Sequence, residues 1–387
     1  MNRRIFVYNP TCEMAVANGL AGYCPPRNLL VFERDLAPLL AFAAVPSDCV
    51  VAPPLDDALA AFLQQIGLDL PQFITADDAR QRLASHSYNF QPWGRSKSIF
   101  HSFGVEQPFE QEHRLLFSRL SSVDIEHFCT SDDDFFVNAD AQVVRSMEDF
   151  ERACKIFDNN FVVKSLWSSS GRGVAKSDNF ISAEYFTRWA EARLKSDDAF
   201  VVEPLLQKVS DIAFLYYIND DATVSYLGYN VFSSDAAGRF GRELIGAHHP
   251  SLDIIINDRL TQVVDLHRKA LINSNINKKY SGYLGFDSML FLDENGEMRF
   301  RPCVECNLRM TMGNVNMGVR QLFAPGVKAW WQIGSYGADN EWNNFVEEES
   351  RRSPLTLRDG KIERGFFRLT PLGSEKRFGA FGYAGDV

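Results

Sequence analysis

Three oxygen-bearing side chains in the second half of the chain are spaced so that they can meet on one surface. Asp287 lies in the apolar run GYLGFDSMLFL at 282–292, and Glu305 and Asn307 lie in a second run at 298–307. Side chains alternate between the two faces of a strand, so Glu305 and Asn307 point the same way and Asp287 can reach them from the neighbouring strand. Oxygen ligands without a histidine or thiolate suit Mg²⁺ or Mn²⁺, which usually bridge to substrate phosphates. The same pattern also fits the solvated face of a hairpin.

A second segment, FVVKSLWSSSGRGV at 161–174, is typical of a hairpin that binds phosphate. An apolar strand carries Lys164 into a loop of small residues. Gly171 and Gly173 permit positive φ, so successive backbone N–H groups there can form an anion-binding nest. Lys164 and Arg172 would supply positive charge to a polyphosphate. The segment is not a Walker A loop, because the lysine precedes the glycines. A flexible hairpin with an exposed lysine has the same pattern.

Short strands and turns would position these side chains. The turn Asp-Glu-Asn-Gly at 293–296 joins the two runs of the oxygen-bearing residues, and Asn-Gly between alternating apolar residues predicts a hairpin. FVVEPL at 200–205 predicts a strand that runs into Glu203 and ends at a proline, which cannot continue a central strand. Such a segment can offer backbone groups to an adenine edge, although Val-Val-Glu-Pro is also a common strand end. A strand at 4–8 and a helix at 56–66 indicate an α/β layer.

In this order, the lysine strand, the glycine-rich loop, the Val-Val-Glu turn, Gly-Phe-Asp and Glu-x-Asn-x-Arg resemble the ATP-grasp superfamily of carboxylate–amine ligases. The resemblance extends over residues 93–320 and, more weakly, over the N-terminal segment. It implies an α/β (α+β) chain with the ATP-grasp fold. The implied divisions are an N-terminal α/β pre-ATP-grasp domain at 1–92, a small lid subdomain with the glycine-rich loop at 93–205, an antiparallel-sheet core subdomain with the metal site at 206–335, and a C-terminal extension at 336–387.

The resemblance implies an ATP site. Lys164 matches the strand lysine that contacts the nucleotide phosphates, and Arg309 matches an arginine that faces the transferred phosphate. Glu203 sits where a hinge offers its backbone to adenine, and Asp211 lies near the position of an acid that bonds the ribose. A helix is implied at 146–157, just before the lysine strand. The loop that closes over the phosphates matches Ser168, Ser169, Ser170, Gly171, Arg172 and Gly173.

The same resemblance implies a metal site. Asp287, Glu305 and Asn307 match the metal positions, so ATP with Mg²⁺ or Mn²⁺ is the implied cofactor set. Phosphoryl transfer needs positioning and neutralisation of charge on the β- and γ-phosphates more than covalent help from protein. With Lys164 and Arg309 as the catalytic cations, these residues form the expected active site.

Two positions depart from the pattern of the superfamily. Many members have a second phosphate-contacting lysine at a position that falls near Trp93, where this chain offers only Arg95 or Lys97. Several relatives also carry an arginine where this chain has Gly285, and Arg309 is a candidate to supply that charge.

The implied activity is that of an ATP-dependent ligase. It would activate a carboxylate as an acyl phosphate, couple it to an amine on an amino acid or peptide-like acceptor, and release ADP and phosphate. Two alternatives stay open: an ATP-grasp kinase that phosphorylates a small-molecule hydroxyl, and a non-catalytic nucleotide-binding protein. Many relatives are dimers, so a homodimer is one expectation, although the sequence does not fix the oligomeric state.

A glycine-rich segment at 233–250 follows two apolar strands and carries Arg239 and Arg242. An arginine-bearing loop beside the metal site could bind the substrate carboxylate, and a mobile surface loop fits the same residues. The next segment, 252–276, has an apolar stripe that predicts one long helix.

Composition limits the remaining function classes. The chain has 387 residues, 45% of them apolar and 23% charged, with a net charge of −10. This length predicts two or three domains, and the acidic balance argues against nucleic acid or an anionic membrane as a partner. No apolar run approaches the roughly 18 residues of a membrane helix, and no secretory signal is recognisable at the start. We therefore expect a cytoplasmic enzyme whose partners are small-molecule carboxylates and amines.

The cysteines predict no disulfide framework. Their number is seven, an odd count in a long chain, which indicates reduced thiols. Cys303 and Cys306 have the spacing of a zinc or redox pair, but an i, i+3 pair on a regular strand points to opposite faces. The sequence therefore favours packing in the core for both.

Overall fold

The computed structural model describes residues 3–107, 109, 111–168, 173–177, 182–235, 240–337 and 339–385. In chain order, the strands are β1 (Arg3–Val7), β2 (Cys49–Val51), β3 (Gln72–Ile74), β4 (Tyr88–Pro92), β5 (Gln142–Val144), β6 (Phe161–Ser165), β7 (Val174–Lys176), β8 (Phe200–Pro204), β9 (Gln207–Ile218), β10 (Val224–Ser234), β11 (Phe240–Ile245), β12 (Gly282–Leu292), β13 (Met298–Asn307), β14 (Ala329–Ser335), β15 (Thr356–Arg358), β16 (Lys361–Arg368) and β17 (Phe378–Ala384). The α-helices are α1 (Cys12–Asn18), α2 (Arg27–Leu36), α3 (Asp57–Gln65), α4 (Ala76–Ala84), α5 (Lys97–Phe103), α6 (Gln111–Leu116), α7 (Arg119–His127), α8 (Met147–Ile156), α9 (Ala183–Asp197), α10 (Leu260–Asn273), α11 (Ile276–Lys279), α12 (Met312–Val319) and α13 (Glu341–Arg352).

The chain forms two compact units. Unit 1 comprises Met1–Phe109, Arg242–His248 and Met310–Val387, and unit 2 comprises Glu110–Gly241 and His249–Arg309. The C-terminal residues thus belong to the same unit as the N-terminal sheet. The four-part division made from the sequence stays a prediction about domain function.

The N-terminal sheet of unit 1 is parallel, with the strand order β3-β2-β1-β4. The apolar half of β1 places Ile5 and Val7 in a core with residues of α4, including Leu83. Helix α3 begins where Asp56 accepts a hydrogen bond from the backbone N–H of Leu59 at 3.1 Å, the usual arrangement of an N-cap. The strand predicted at 4–8 and the helix predicted at 56–66 are confirmed by β1 and α3.

The C-terminal strands of unit 1 are antiparallel, with β17 between β14 and β16. Their core is aromatic: Trp342 is fully buried and packs with Phe366 and Phe381. Asp35 at the end of α2 is also fully buried. Its carboxylate accepts from the backbone N–H of Arg377 at 2.9 Å, so α2 is anchored where β17 begins.

Unit 2 contains a small antiparallel sheet with the order β5-β8-β6-β7. Helices α8 and α9 cover it, and its core includes Phe150, Phe161, Phe186 and Phe200. Ser146 caps α8 by accepting from the backbone N–H three residues on, at 3.1 Å. These elements confirm the helix and the strands that the sequence predicts before and after the glycine-rich loop.

The larger sheet of unit 2 has the order β13-β12-β9-β10, with every neighbouring pair antiparallel. The predicted hairpin is confirmed as β12 and β13. Its turn places Gly296 at a φ of 76°, and the carboxylate of Asp293 accepts from the backbone N–H of Asn295 at 2.9 Å. Helix α10 packs on this sheet through His267, whose Nε2 lies 2.8 Å from the carbonyl oxygen of Pro302.

The single helix predicted at 252–276 is confirmed in part. Helical residues run without a gap from 253 to 273, but Ile254–Arg259 form a π-helical turn before α10 begins, and Asn275 has a φ of 57°, which separates α10 from α11. The run of β-branched residues at 254–256 disfavours regular helical packing, and Ser274 bonds back to the carbonyl oxygen of Ala270 at 2.7 Å. None of the helices in the described part of the chain is long and apolar enough to cross a membrane.

Candidate active site

The hairpin of β12 and β13 brings the three predicted oxygen-bearing residues together. Asp287 lies directly opposite Glu305, and Gly285 lies opposite Asn307. The side-chain N–H of Asn307 donates to the carboxylate of Asp287 at 3.1 Å. All three side chains are half-buried, whereas Cys306 between them is buried, as the alternation of a strand requires. The structure therefore builds one cluster of acidic and amide oxygens on a rigid hairpin.

A bulge follows the cluster and changes what the rest of β13 does. The register passes from Asp287 opposite Glu305 to Met289 opposite Arg301, so β13 has two extra residues here. The hydroxyl of Ser288 donates to the carbonyl oxygen of Pro302 at 2.6 Å within the bulge. Bulges re-aim side chains along a strand. The same strand therefore holds Glu305 in the half-buried cluster and Arg301 in the interior, only 1% exposed.

The surroundings of Asp287 change its acidity. Burial and the facing carboxylate of Glu305 raise the pKa of Asp287 to about 7, and Asp211 adds to this rise. Arg309 and the hydrogen bond from Asn307 act in the opposite direction but do not cancel it. Two carboxylates facing each other favour either a shared proton or a bound cation. The donor set thus fits a divalent metal ion.

Arg119 joins this cluster, and no pattern in the sequence indicates that it would. Its Nη2 lies 3.1 Å from both carboxylate oxygens of Glu305, 186 residues away in the chain. Its Nη1 donates to the carbonyl oxygen of Ser165 at 2.6 Å and to the hydroxyl of Ser168 at 2.8 Å. The side chain is only 6% exposed, and within the described residues its Nε has no hydrogen-bond partner. A cap residue, Ser118, precedes it and predicts a helix start, but not the reach of the guanidinium.

Lys164 is buried on β6, so the exposed lysine of an ordinary hairpin does not describe it. Only 7% of the residue is exposed, and its Nζ forms an ion pair with Glu203. At the end of the glycine-rich loop, Gly173 has a φ of 71°, and a Cβ there would lie 2.6 Å from the hydroxyl oxygen of Ser165. Ser168 and Gly173 frame the loop. The other predicted phosphate-binding residues, Ser169, Ser170, Gly171 and Arg172, lie outside the described residues.

Glu203 has a side chain directed into the protein. One carboxylate oxygen pairs with Lys164, and the other accepts from Nη2 of Arg301 at 2.8 Å. Burial opposes ionisation, but the charges of Arg301 and Lys164 outweigh it and lower the pKa of Glu203 to about 2. Its backbone lies at the end of β8, opposite Val162 of β6, just before the short connection to β9. The expected contact of this backbone with adenine stays a prediction.

Asp211 lies on β9, opposite Met289 of β12 and close enough to influence Asp287. Its carboxylate accepts from Nζ of Lys208 and from the hydroxyl of Ser234, each at 2.6 Å. A ribose hydroxyl would have to share or displace these donors. The ribose contact stays a prediction.

The remaining predicted cations lie in different surroundings. Arg309 lies just beyond β13 in unit 2 and lowers the pKa of Asp287. Arg242 belongs to unit 1, where its guanidinium is 3.9 Å from the ring centroid of Trp330 and donates to Gln332 at 2.9 Å. The predicted loop around it is partly wrong, since 240–245 form strand β11 and pair with β14. Arg239 lies outside the described residues. Whether these arginines bind a carboxylate stays a prediction.

The cysteines of β13 are core residues, as predicted, but the geometric reason given for them is wrong. Cys303 and Cys306 are both buried on the side of the sheet that α7 covers, because the bulge interrupts the alternation between them. The Sγ of Cys303 lies 3.9 Å from the carbonyl oxygen of Ser122 in α7. A hydrogen bond with Cys129, together with burial, raises the pKa of Cys303. In the described part of the chain, no three His, Cys, Asp or Glu side chains form a metal-binding group.

The candidate metal set is therefore two carboxylates and one amide, Asp287, Glu305 and Asn307. Mg²⁺ demands six oxygen ligands and is usually held by one or two carboxylates, with water and phosphate oxygens completing the octahedron. A set this small fits an ion that arrives with a polyphosphate better than an ion held by protein alone. The nearby guanidinium of Arg119 suits the same anionic ligand.

Solved structures share the fold of this chain at low sequence identity. The biotin carboxylase domain of the 2-oxoglutarate carboxylase of Hydrogenobacter thermophilus, a dimer in complex with MgADP, ADP and bicarbonate, is 12% identical, with 99% of this chain and 86% of that chain covered and a TM-score of 0.51. An N5-carboxyaminoimidazole ribonucleotide synthetase in complex with ADP is 12% identical, with 91% and 90% covered and a TM-score of 0.50. Both are ATP-grasp proteins, and the chain has the ATP-grasp fold, as its sequence predicted. No protein-family model and no curated protein matches the chain.

Proposed function

We propose that this protein is an ATP-dependent ligase that activates a carboxylate as an acyl phosphate and couples it to an amine. The observation that carries the proposal is the cluster of Asp287, Glu305 and Asn307 beside the guanidinium of Arg119, within an ATP-grasp fold. Acidic oxygens and a buried arginine at one place match the two needs of a nucleotide phosphate, a metal ion and direct cationic contacts.

ATP would be held by residues of unit 2. Lys164 would contact the phosphates, and the loop at 168–173 would close over them. The backbone around Glu203 would meet adenine, and Asp211 would bond the ribose. The two solved structures that share the fold are complexes with ADP, one of them also with MgADP, which supports a nucleotide as the ligand of this fold.

Asp287, Glu305 and Asn307 would hold Mg²⁺ or Mn²⁺, which supplies neutralisation of charge on the β- and γ-phosphates. Arg309 would face the transferred phosphate as the second catalytic cation beside Lys164. Arg119 would take the place of the second phosphate-contacting lysine that the superfamily pattern led us to expect near Trp93. It already bridges the end of the lysine strand, at Ser165, to Glu305 of the metal set.

The reaction needs positioning more than covalent help from the protein. A carboxylate oxygen of the substrate attacks the γ-phosphorus, the bond to the β–γ bridging oxygen breaks, and ADP leaves. The amine then attacks the acyl carbon, and phosphate leaves with the former carboxylate oxygen. Closure of the loop at 168–173 would exclude water, which would otherwise hydrolyse the acyl phosphate.

The acceptor is the least constrained part of the proposal. We favour an amino acid or peptide-like amine, with Arg239 and Arg242 as candidate contacts of the substrate carboxylate. A homodimer and a cytoplasmic location belong to the same proposal. The fold alone hosts several acceptors: one structural neighbour is named as a synthetase of a carboxyaminoimidazole ribonucleotide, and another contains bicarbonate.

The first experiment is thermal unfolding with and without ATP and Mg²⁺. A ligand at 100 times its dissociation constant stabilises a protein by about 2.7 kcal/mol, which is visible as a raised melting temperature. We expect a Mg²⁺-dependent rise for the wild type that Asp287→Asn reduces. The matched control is Glu294→Gln, which removes an exposed acid from the turn of the same hairpin and should leave the rise intact.

A positive result leads to a screen of acid and amine pairs for ADP release. Release that requires both substrates supports the ligase, whereas phosphate retained on the product indicates a kinase. No rise at millimolar ATP in the wild type would contradict the proposal as a whole.

A further inference from the structure

Four buried ionisable side chains form a continuous series of ion pairs in unit 2. In order they are Glu126, Arg301, Glu203 and Lys164, and they come from α7, β13, β8 and β6. None is more than 7% exposed. Arg301 meets Glu126 through Nε at 2.8 Å and Nη2 at 3.1 Å, and it meets Glu203 through Nη2 at 2.8 Å; Glu203 then pairs with Lys164.

Acidic and basic residues alternate along this series, which ends at Lys164. The carboxylate of Glu126 is fixed from two sides, because it also accepts from the backbone N–H of Ala139 at 3.0 Å. Glu203 divides its two oxygens between Arg301 and Lys164. Lys164 therefore pairs with a carboxylate that Arg301 also binds, and Arg301 is in turn shared with Glu126. An ammonium has three N–H donors, and one carboxylate contact leaves others for a further anion.

Stability alone gives a weak reason for this arrangement. Burying ion pairs costs desolvation that the attraction between the charges often only balances, and apolar residues of similar volume frequently stabilise a protein as well or better. A buried network is better explained where one of its members must be held in a fixed place with a fixed charge. Arg299, near the start of the same strand, pairs instead with Glu297 and Asp293 beside the turn of the hairpin.

We propose that Arg301 is a positioning residue for the nucleotide phosphates, acting on Lys164 through Glu203. It holds the carboxylate of Glu203 in place beside the lysine, so that the ammonium of Lys164 is fixed on β6 with N–H donors left for an incoming phosphate. This inference rests on the proposed ATP site. The bulge of β13 sets the position of Arg301 along the hairpin, because the register shift places it opposite Met289 of β12.

The test is a double-mutant cycle on ATP binding, measured by titration calorimetry with Mg²⁺ present. Wild type, Arg301→Met, Lys164→Met and the double variant are compared. We expect Arg301→Met to raise the dissociation constant of ATP about tenfold, the change produced by losing one good charge-assisted contact. In the Lys164→Met background, the same substitution should change it less than about twofold, because the arginine acts through the lysine. Equal effects in both backgrounds would overturn the proposal and assign Arg301 to structure only.

Two further variants guard against a loss of folding. Replacing Glu126 and Arg301 together by Met removes the arginine without leaving Glu126 buried and unpaired, and it should weaken ATP binding as Arg301→Met does. Arg301→Lys keeps a positive charge beside Glu203 and should restore part of the affinity. Arg299→Met, on the same strand but paired with Glu297 at the surface, is the matched control and should bind ATP as the wild type does.

The outcomes separate this inference from the function on which it rests. A wild type that does not bind ATP contradicts the proposed function. A wild type that binds ATP, with Lys164→Met weaker but Arg301→Met and the paired variant unchanged, keeps the function and overturns the role of Arg301.

Discussion

Two carboxylates of unit 2, Glu203 in the interior and the half-buried Asp287, have pKa values that are shifted in opposite directions. Glu203 lies between two cations, Arg301 and Lys164, and the pKa of its carboxyl is lowered to about 2. Asp287 faces another carboxylate, Glu305, and its pKa is raised to about 7. Burial disfavours the charged form in both, so the difference lies in the neighbours.

The contrast separates a carboxylate that is fully paired with cations of the protein from a carboxylate that faces another carboxylate. The network around Glu203 is complete within the protein, since each carboxylate oxygen has a cationic partner. In the cluster around Asp287, two carboxylates face each other, and the pKa of Asp287 stays raised although Arg309 acts against the rise. Such a cluster becomes favourable when a cation enters, which is the behaviour expected of a metal site. β13 contributes to both regions, with Arg301 in the first and Glu305 in the second, on either side of its bulge.

The largest expected effect is on ATP turnover, and it comes from removing a carboxylate of the cluster of Asp287, Glu305 and Asn307. Asp287→Asn or Glu305→Gln should lower ATP turnover at least about 100-fold, because loss of a metal ligand removes several kcal/mol of transition-state stabilisation and each 1.36 kcal/mol is about tenfold in rate. The fold should survive, as judged by circular dichroism. Steady-state ADP release is the measurement, with Glu294→Gln as the control. Normal turnover in either variant would refute the metal assignment.

A smaller effect, on ATP binding, is expected from substitution of Lys164, which pairs with Glu203. Lys164→Met should weaken ATP binding by about tenfold through loss of one charge-assisted phosphate contact. Calorimetric titration with ATP measures it. Lys155→Met is a suitable control, because it removes an exposed lysine of α8 in the same unit. If the dissociation constant of ATP is unchanged in Lys164→Met, the lysine has no role at the phosphates.

The third prediction uses the pH dependence of stability, measured without metal. The carboxyl of Asp287 keeps its proton in the folded protein at pH values where the unfolded chain, with its pKa near 3.8, has lost it. The folded state therefore binds more protons than the unfolded state between 3.8 and about 7, and stability falls as pH rises through this window. Asp287→Asn removes the group.

Denaturant unfolding in EDTA at several pH values checks this. The free energy of unfolding of Asp287→Asn should exceed that of the wild type by an amount that grows from pH 5 to pH 7 and is constant above. Glu203 does not add to the pH dependence of stability in this range. Because its pKa is lowered in the folded protein, its contribution to the free energy of unfolding is fully present above about pH 4.5. A difference between the two proteins that does not change with pH would show that Asp287 has an ordinary pKa.

The sequence predicts the parts of this site that depend on local signals. Asn295 and Gly296 mark the turn of the hairpin, and the period of a strand places Glu305 and Asn307 on the same side. Ordered along the chain, these signals led to the ATP-grasp fold. The prediction works because these signals are local: the turn joins the two strands, and the period of two sorts the side chains of each strand between its faces.

The contacts of the arginines were beyond such reasoning. Arg119 reaches Glu305 across 186 residues, and the position of Arg301 opposite Met289 depends on a bulge that no residue pattern in β13 indicates. The long helix predicted at 252–276 is only partly correct, since an apolar stripe indicates neither the π-helical turn at its start nor the residue at positive φ near its end. Side-chain partners far apart in sequence follow from the folded arrangement, and single-chain periodicity carries no information about them.

The smallest expected effect is on stability and comes from Asp56, a carboxylate in unit 1 that serves as a control for the substitutions in unit 2. Asp56 in unit 1 resembles Glu203 in having an arginine partner: Arg368 donates to its two oxygens at 2.6 and 2.7 Å. Burial acts against ionisation, but Arg368 and the backbone N–H groups of Leu372 and Leu59 lower the pKa of Asp56 to about 2. It also caps α3. Asp56→Ala should therefore cost at least about 1 kcal/mol of stability, because it loses both the cap and the pair with Arg368. Asp56→Asn should cost less, because an asparagine caps nearly as well and only the charge opposite Arg368 is lost.

Neither variant should change the affinity for ATP. Denaturant unfolding and calorimetric titration of the same samples test both statements. If a paired carboxylate serves only structure in unit 1 and positions a phosphate-binding lysine in unit 2, then substitutions at Asp56 lower stability without weakening ATP binding, whereas Arg301→Met weakens ATP binding. Asp56→Asn could instead lower the affinity for ATP as much as Arg301→Met does. That result would mean that both ion pairs affect ATP binding only through the overall stability of the protein, and it would remove the distinction between them.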